Sequence, residues 1–458
     1  MTKKNIPETI QKHRDFFNSH RTKNIGFRRE MLKKLGYSIN EYENKIAQAL
    51  YDEFRKSPYE AYIAEIGMVK DELRYQLKHL KSWAKPKKVK TPILHFLSSS
   101  FIYPEPYGVA LIIAPWNYPF NLLFNPLIGA ISAGNCVVLK PSEHSPNTSA
   151  VMEEIITRTF DEEYISIFLG GREMTEALLK ERFDYIFYTG KTSYGKKVME
   201  AASRYLTPVS LELGGKCPCI VDREAKIDYA GRRIAWGKFL NAGQTCVAPD
   251  YLLVDKAVKE ELLNALKKYI KHFYGKNPEL NPDYSRMIND SHFEHVCGLQ
   301  QGGSITTGGE TKRETRYIAP TIIENVSPDD PIMQEEIFGP LFPVLEYETL
   351  EEAVSFVNSR PKPLALYIFS ENKKKQKMIL KQTSFGGGCI NDTMVHLGSP
   401  YLPFGGVGNS GMGSYHGKAS FDTFSHKKSI LKKSNLLDIK LRYPPYKGKM
   451  KYLRLFLK

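Results

Sequence analysis

The sequence predicts an α/β fold built around a parallel sheet, on three observations. From Gly108 onward, short apolar runs alternate with amphipathic stretches, as strands covered on both faces by helices require. The 458 residues are enough for two or three domains, each with its own core. A hydrophobic share of 42% and a charged share of 25% exclude disordered, collagenous and coiled-coil classes.

The first eighty residues read as helices. Apolar residues from Phe16 through Met31, Leu35, Ile39, Ile46 and Leu50 to Phe54 recur every three or four positions, and a second run continues from Tyr62 through Ile66, Val69, Leu73 and Leu77 to Leu80. Pro86 and Pro92 end that pattern, and 93–103 reads as a short strand-like excursion. Strands are then predicted at 109–113, 136–139, 164–168, 185–188 and 209–213, with helices at 148–159 and 194–203. The apolar stretch 126–139 is broken by Gly129, Gly134 and Asn135, so it reads as core and not as a membrane span. A second α/β segment starts near 217–221, with helices at 257–273 and 350–358 and strands at 319–323 and 342–347. The Gly-rich run 404–417 precedes a stretch, 421–431, that could pair as a strand.

Six cysteines without a CxxC pair make neither a disulfide framework nor a zinc ribbon, which fits reduced thiols in a cytoplasm. The opening Met1–Glu8 has no apolar leader core, and no window is long and apolar enough to span a bilayer. An excess of Lys and Arg, 65 against 50 Asp and Glu, is concentrated partly in the tail 447–458, where basic and apolar residues alternate. Such a tail suits a weak contact with an anionic membrane surface, beside the plainer reading of a solvated end. No nucleic-acid-binding motif accompanies the charge, so no nucleic-acid partner is expected.

Two motifs are set aside as chemistry. Gly406-Val407-Gly408-Asn409-Ser410-Gly411 matches GxGxxG but follows no strand, and reads as a loop. His292, His295 and Cys297 lack the further ligands a metal site needs, so no metal is expected. Cys246, in the small and polar run Asn241-Ala242-Gly243-Gln244-Thr245-Cys246, looks exposed, whereas Cys136 and Cys219 lie within apolar strands. Glu212 ends an apolar strand before Gly214 and Gly215, where burial would raise its pKa toward that of a general base. Asn117 follows the strand at 109–113 and can offer an amide at the sheet's carboxyl edge. A thiol, an amide donor and a carboxylate form a complete set for chemistry at a carbonyl.

These residues, with APWNYPF (114–120), LKPSE (139–143), FYTG (187–190), LELGGK (211–216), GQTC (243–246), QEEIFGP (334–340) and LPFGGVGNSGMGSYHGK (402–418), resemble an aldehyde dehydrogenase, most closely the class 3 branch. The resemblance spans nearly the whole chain. It implies a Rossmann-type cofactor domain (1–81 and 103–209), an α/β catalytic domain (210–408), a small β oligomerisation arm (82–102 and 409–435) and a basic tail (436–458). By this similarity Cys246 is the nucleophile, Asn117 and the Cys246 N–H hold the oxyanion, and Glu212 activates water. Trp116, Lys140, Glu143, Thr189, Gly190, Gly195, Glu336 and Phe338 fall at cofactor positions, and Trp236, Thr245 and His396 at substrate positions. NAD is the implied cofactor, since Glu143 would repel a 2′-phosphate, with NADP as the alternative. The implied substrate is a medium- or long-chain aliphatic, aromatic or isoprenoid-derived aldehyde, and the implied assembly a homodimer. A cytoplasmic location, peripheral to a membrane through the tail, completes the expectation. Two other readings stay open, transfer of the acyl group to coenzyme A and a non-catalytic binding protein on the same fold; Glu212 argues against the first and the intact set of three against the second.

Overall fold

The structure is a computed structural model that describes residues 5–438 and 440–456. Met1–Lys4, Ile439, Leu457 and Lys458 lie outside the described residues, and with them the first half of the opening segment and the end of the basic tail. The N-terminal region is helical, as its periodicity predicts: Ile6–Asn18, Ile25–Phe54 and, after a short turn at 55–57, a helix from Pro58 through a wider π turn at Tyr62–Ile66 to Trp83. Asn24 caps the long helix by accepting from the Gly26 and Phe27 N–H groups, and Arg55 closes it in the left-handed region at φ 57°. Its buried stripe, Leu32, Leu35, Ile39, Ile46, Leu50 and Phe54, belongs to the same core as the first sheet.

That sheet has six strands in the order Gly411–Met412, Val209–Leu213, Tyr185–Gly190, Val109–Ile113, Cys136–Lys140 and Ile165–Ile167. All pairings are parallel except the first. The chain starts at Val109–Ile113 and runs outward to Ile165–Ile167, then returns to Tyr185–Gly190 on the other side of its starting strand. The order therefore reverses between Val109–Ile113 and Tyr185–Gly190, where the loops after both strands diverge and leave a crevice. The predicted strands are present with small shifts in their bounds. The core stretch 126–139 is the end of helix Pro119–Ala133 plus strand Cys136–Lys140. They are joined at Gly134, whose φ of 99° and contact with the Arg28 guanidinium leave no room for a side chain.

The second sheet has seven strands, in the order Ser304–Thr307, Thr321–Glu324, Leu341–Tyr347, Tyr251–Asp255, Pro218–Val221, Ala365–Phe369 and Gly387–Ile390, around a separate core. A third, antiparallel sheet pairs Lys87–Val89 and Ser425–Lys433 on either side of Ser98–Pro106. Two expectations need adjustment. The excursion at 93–103 is a one-turn helix at Ile93–His95 followed by the strand, and 421–431 divides into the end of helix Lys418–Thr423 and strand Ser425–Lys433. Phe421 and Phe424 turn into the first core, which explains why a helical turn precedes the strand.

Candidate active site

Two clefts meet at Cys246. The first, of about 490 Å³, opens at the point where the first sheet's strand order reverses, and is walled by Trp116 and Asn117 from one diverging loop and by Gly190 and Thr192 from the other. The second, of about 350 Å³, is mostly apolar and is lined by Met68, Trp236, Leu240, Val247, Met394 and Leu397. Cys246, Leu122, Phe404 and Tyr415 belong to both.

The loop carrying Cys246 is held under backbone strain. Asn241 and Ala242 have φ of 51° and 50°, and Gly243, at φ 74°, lies so near the Gly339 carbonyl that a Cβ would come within 2.3 Å of it. Gln244 fixes the loop from below: its amide donates to the carbonyls of Asn241 (3.0 Å) and Arg286 (2.9 Å), and its oxygen accepts from the Ile288 N–H at 3.0 Å. The Asn117 amide donates to the Gln244 carbonyl at 3.1 Å, so Asn117 is tied to the same loop. Glu212 sits 3% exposed in strand Val209–Leu213, and neither carboxylate oxygen has a hydrogen-bond partner. Burial pushes its pKa well above the usual carboxylate range. The Cys246 thiol is also pushed up, mainly by burial and then by the Glu336 and Glu212 carboxylates, with the Cys246 and Val247 N–H groups opposing. Burial therefore favours the protonated thiol, and the Glu212 carboxyl faces the same cleft.

The glycine loop set aside in the sequence supports that strand. Gly411 pairs with Glu212, the Ser410 carbonyl accepts from the Leu213 N–H at 3.1 Å, and a Cβ on Gly411 would come within 2.2 Å of the Leu211 carbonyl. Its glycines let one backbone lie against another.

The first cleft fits a dinucleotide by the chemistry of its walls. Glu336 is half-buried with one enclosed carboxylate oxygen unpartnered, Thr189 has a buried hydroxyl oxygen without a partner, and helix Thr192–Ser203 points its N-terminus at the cleft. Glu336 and Gly214 press together, so that a Cβ on Gly214 would come within 1.9 Å of the carboxylate. Burial raises Glu336 to about 8. Trp116 and Phe338 meet edge to face at 5.3 Å on the opposite wall. Lys140 and Glu143 stand at the end of strand Cys136–Lys140, 3.7 Å apart, next to the far end of the cleft at His144. Gly195 lies elsewhere: its N–H is used inside its own helix, to the Lys191 carbonyl, and the missing side chain lets the helix pack on Leu213.

Of the substrate candidates, Trp236 and Thr245 line the apolar cleft, Thr245 sharing a 2.7 Å hydrogen bond with the Tyr118 hydroxyl. His396 does not line it. Its ring is turned toward Phe404 and the Cys389 thiol, 3.5 Å from Nδ1, while Met394, Val395 and Leu397 from the same loop and His416 face the cleft. A short helical turn over Val395–Gly398 reverses the direction a regular alternation would give. Sequence reasoning missed His292 as a cleft residue. It donates to the Phe338 carbonyl at 2.8 Å and packs edge-on to Trp116, and burial lowers its pKa to about 4. Among the described residues, no group of three or more His, Cys, Asp or Glu side chains is placed to hold a metal ion.

A dinucleotide-shaped crevice at a reversal of strand order, with a thiol at its floor and an apolar cleft beyond, defines an oxidoreductase that works on a carbonyl. The profile described as "Aldehyde dehydrogenase family" matches residues 1–430. The chain is 50% identical over 455 residues, 99% of each chain, to a 4,4′-diaponeurosporen-aldehyde dehydrogenase of Staphylococcus aureus (strain NCTC 8325 / PS 47). It is 48% identical over 448 residues, 97% of this chain and 99% of the relative, to a dimeric, NADP-preferring aldehyde dehydrogenase of Mus musculus. Its structure superposes on the substrate-bound state of Staphylococcus aureus AldH with a TM-score of 0.98 at 50% identity, covering 100% of both chains. This chain belongs to the aldehyde dehydrogenase family. It is similar to the family's class 3 members, and it is an oxidoreductase that oxidises aldehydes with NAD or NADP.

Proposed function

We propose that the chain oxidises a medium- or long-chain aliphatic, aromatic or isoprenoid-derived aldehyde to its carboxylic acid, with Cys246, Asn117 and Glu212 carrying the chemistry. The observation that carries this reading is the position of Cys246 where the two clefts join, with Asn117 and Glu212 facing the same space. The aldehyde enters the apolar cleft past Trp236 and Thr245. Cys246 sulfur bonds to the carbonyl carbon as its proton passes to Glu212 and on to solvent, and the oxygen that gains the electron pair is met by the Asn117 amide and the Cys246 N–H. Removing one such donor typically costs about 10² to 10³ in rate. NAD or NADP, when bound, would supply the hydride acceptor needed for oxidation of this adduct to a thioester. Glu212 then takes a proton from water, whose oxygen attacks the thioester carbon, and the carbon–sulfur bond breaks to return Cys246.

Glu336, Lys140 and Glu143 would hold cofactor ribose hydroxyls, Thr189 and Gly190 the pyrophosphate segment, and Trp116 and Phe338 the nicotinamide end. Gly195 supports this wall through packing. The three sheets support three parts, a cofactor domain (1–81 and 103–209), a catalytic domain (210–408) and an oligomerisation arm (82–102 and 409–435), followed by the basic tail (436–458); strands Val209–Leu213 and Gly411–Met412 both belong to the first sheet, so the cofactor domain extends past 209 and takes in the start of 409–435. An open antiparallel arm fits a homodimer, and the dimeric state named for the mouse relative agrees with it. The tail fits a weak, peripheral contact with an anionic membrane: Tyr446, Met450 and Tyr452 are exposed among Lys447, Lys449, Lys451 and Arg454. Cytoplasmic residence is supported by six cysteines that are all free.

The test is NADH formation by purified protein with a panel from acetaldehyde through hexanal and benzaldehyde to long-chain and isoprenoid aldehydes. Turnover that rises with apolar length and vanishes in Cys246→Ala is expected; turnover surviving that substitution would overturn the assignment. Adding coenzyme A to the same assay should leave the free acid as product.

A further inference from the structure

Beside the Asn117 turn lies a pair of charges for which the reaction itself has no use. Lys56 and Glu65 are both 0% exposed and form an ion pair of 3.0 Å. The ammonium also reaches the Asn117 carbonyl at 3.4 Å, and it is enclosed by the ring faces of Tyr118 at 4.4 Å and Phe54 at 4.8 Å. The other Glu65 oxygen accepts from the N–H groups of Phe120 at 3.1 Å and Asn121 at 2.9 Å, in the first turn of helix Pro119–Ala133. One charge therefore grips the turn at 117 and the other grips it at 120–121. From the opposite side, the Asn241 amide donates to the Asn117 carbonyl at 3.0 Å and to the Gln244 carbonyl at 3.1 Å, and Asn117 donates to that same Gln244 carbonyl. The Asn117 peptide is thus clamped between Lys56 and the loop that carries Cys246.

We propose that Lys56 and Glu65 are positioning residues for acylation, a buried ion pair that fixes the Asn117 peptide so that its side-chain amide is held at the oxyanion. The inference rests on the reading of Asn117 as the oxyanion donor. A buried pair of this kind contributes little net stability, because removing two charges from water offsets their attraction. What it does supply is a fixed geometry at a turn with no regular secondary structure of its own. An amide displaced by about 1 Å from a developing charge loses rate on the order of 10²-fold. Burial raises the Glu65 pKa against the pull of Lys56, so removing Lys56 shifts that carboxyl further toward its neutral form.

The test is a double-substitution cycle on the full enzyme, read in single-turnover NADH formation at saturating NAD and aldehyde. Asn117→Ala alone should slow acylation by about 10²- to 10³-fold. Lys56→Met alone should slow it by about 10- to 100-fold, with NAD affinity by fluorescence titration unchanged. In the Asn117→Ala background, Lys56→Met should cost less than about 2-fold, because its effect passes through the missing amide. Two effects that multiply, or a Lys56→Met enzyme that acylates normally, would overturn the proposal. An Asn117→Ala enzyme that acylates normally would instead overturn the reading beneath it. Should Lys56→Met give no folded protein, Glu65→Gln keeps the shape and removes the charge, and the same cycle with it decides the matter.

Discussion

Glu212 and Glu336 face one cleft with different electrostatics. Glu212 is pushed up by burial alone, which suits a base that must hold a proton taken from water and then release it. Glu212→Gln should therefore slow thioester hydrolysis more than acylation, seen as a pre-steady-state NADH burst followed by a depressed steady state. Unchanged steady turnover would remove its assigned role. Glu336, at about 8, has a consequence for stability. Between about pH 4.5 and 8 the folded chain keeps a proton that the unfolded chain has released, so stability present below the unfolded pKa is lost as pH rises through that range. Glu336→Gln cannot ionise, and its melting temperature relative to the parent should rise steadily from pH 5 to pH 8 in cofactor-free protein; a flat difference would contradict the raised pKa. The sequence singled out Cys246, Glu212 and Asn117, which share one cleft, because Glu212 and Asn117 stand at the ends of apolar strands and Cys246 follows a run of small and polar residues. Lys56 was not, since a lysine between a helix and Ser57-Pro58 looks like any solvated end. His396 shows the opposite limit, because nothing in Asn391–His396 tells which side chains of a tight loop face inward.

The helices and strands follow the periodicity closely, and the differences are confined to places where a neighbour decides. The stretch 421–431 reads as strand throughout, yet Phe421 and Phe424 are drawn into the first core and curl the chain before pairing begins. Likewise Gly406–Gly411 matches a phosphate-binding pattern by spacing alone, and its function is set by the strand it touches. Gly411 has φ of 143° and almost no space for a Cβ. Gly411→Ala should push the loop off strand Val209–Leu213, lower the melting temperature and slow thioester hydrolysis through Glu212. Wild-type hydrolysis in a folded variant would show that the loop does not hold that carboxylate.

Over the whole molecule, the alternation of apolar strands with amphipathic helices predicted an α/β fold, and two sheets, each parallel but for one edge strand, with separate cores are its physical expression. The joining of the clefts was not legible, because it depends on segments as distant in sequence as Met68, Trp236 and Tyr415. No helix among the described residues is long and apolar enough to cross a membrane. Sedimentation should give twice the mass of the chain, and a monomer would remove the arm's assigned role. Flotation with anionic liposomes should lose any bound fraction when 447–458 is deleted, while neutral liposomes bind neither form. The meeting of two clefts at one sulfur also has a consequence for inhibition. A compound that fills the apolar side should raise the apparent KM for aldehyde and leave that for the dinucleotide alone, and a dinucleotide mimic should do the reverse. Each cleft would then admit or release its own ligand whatever the other holds.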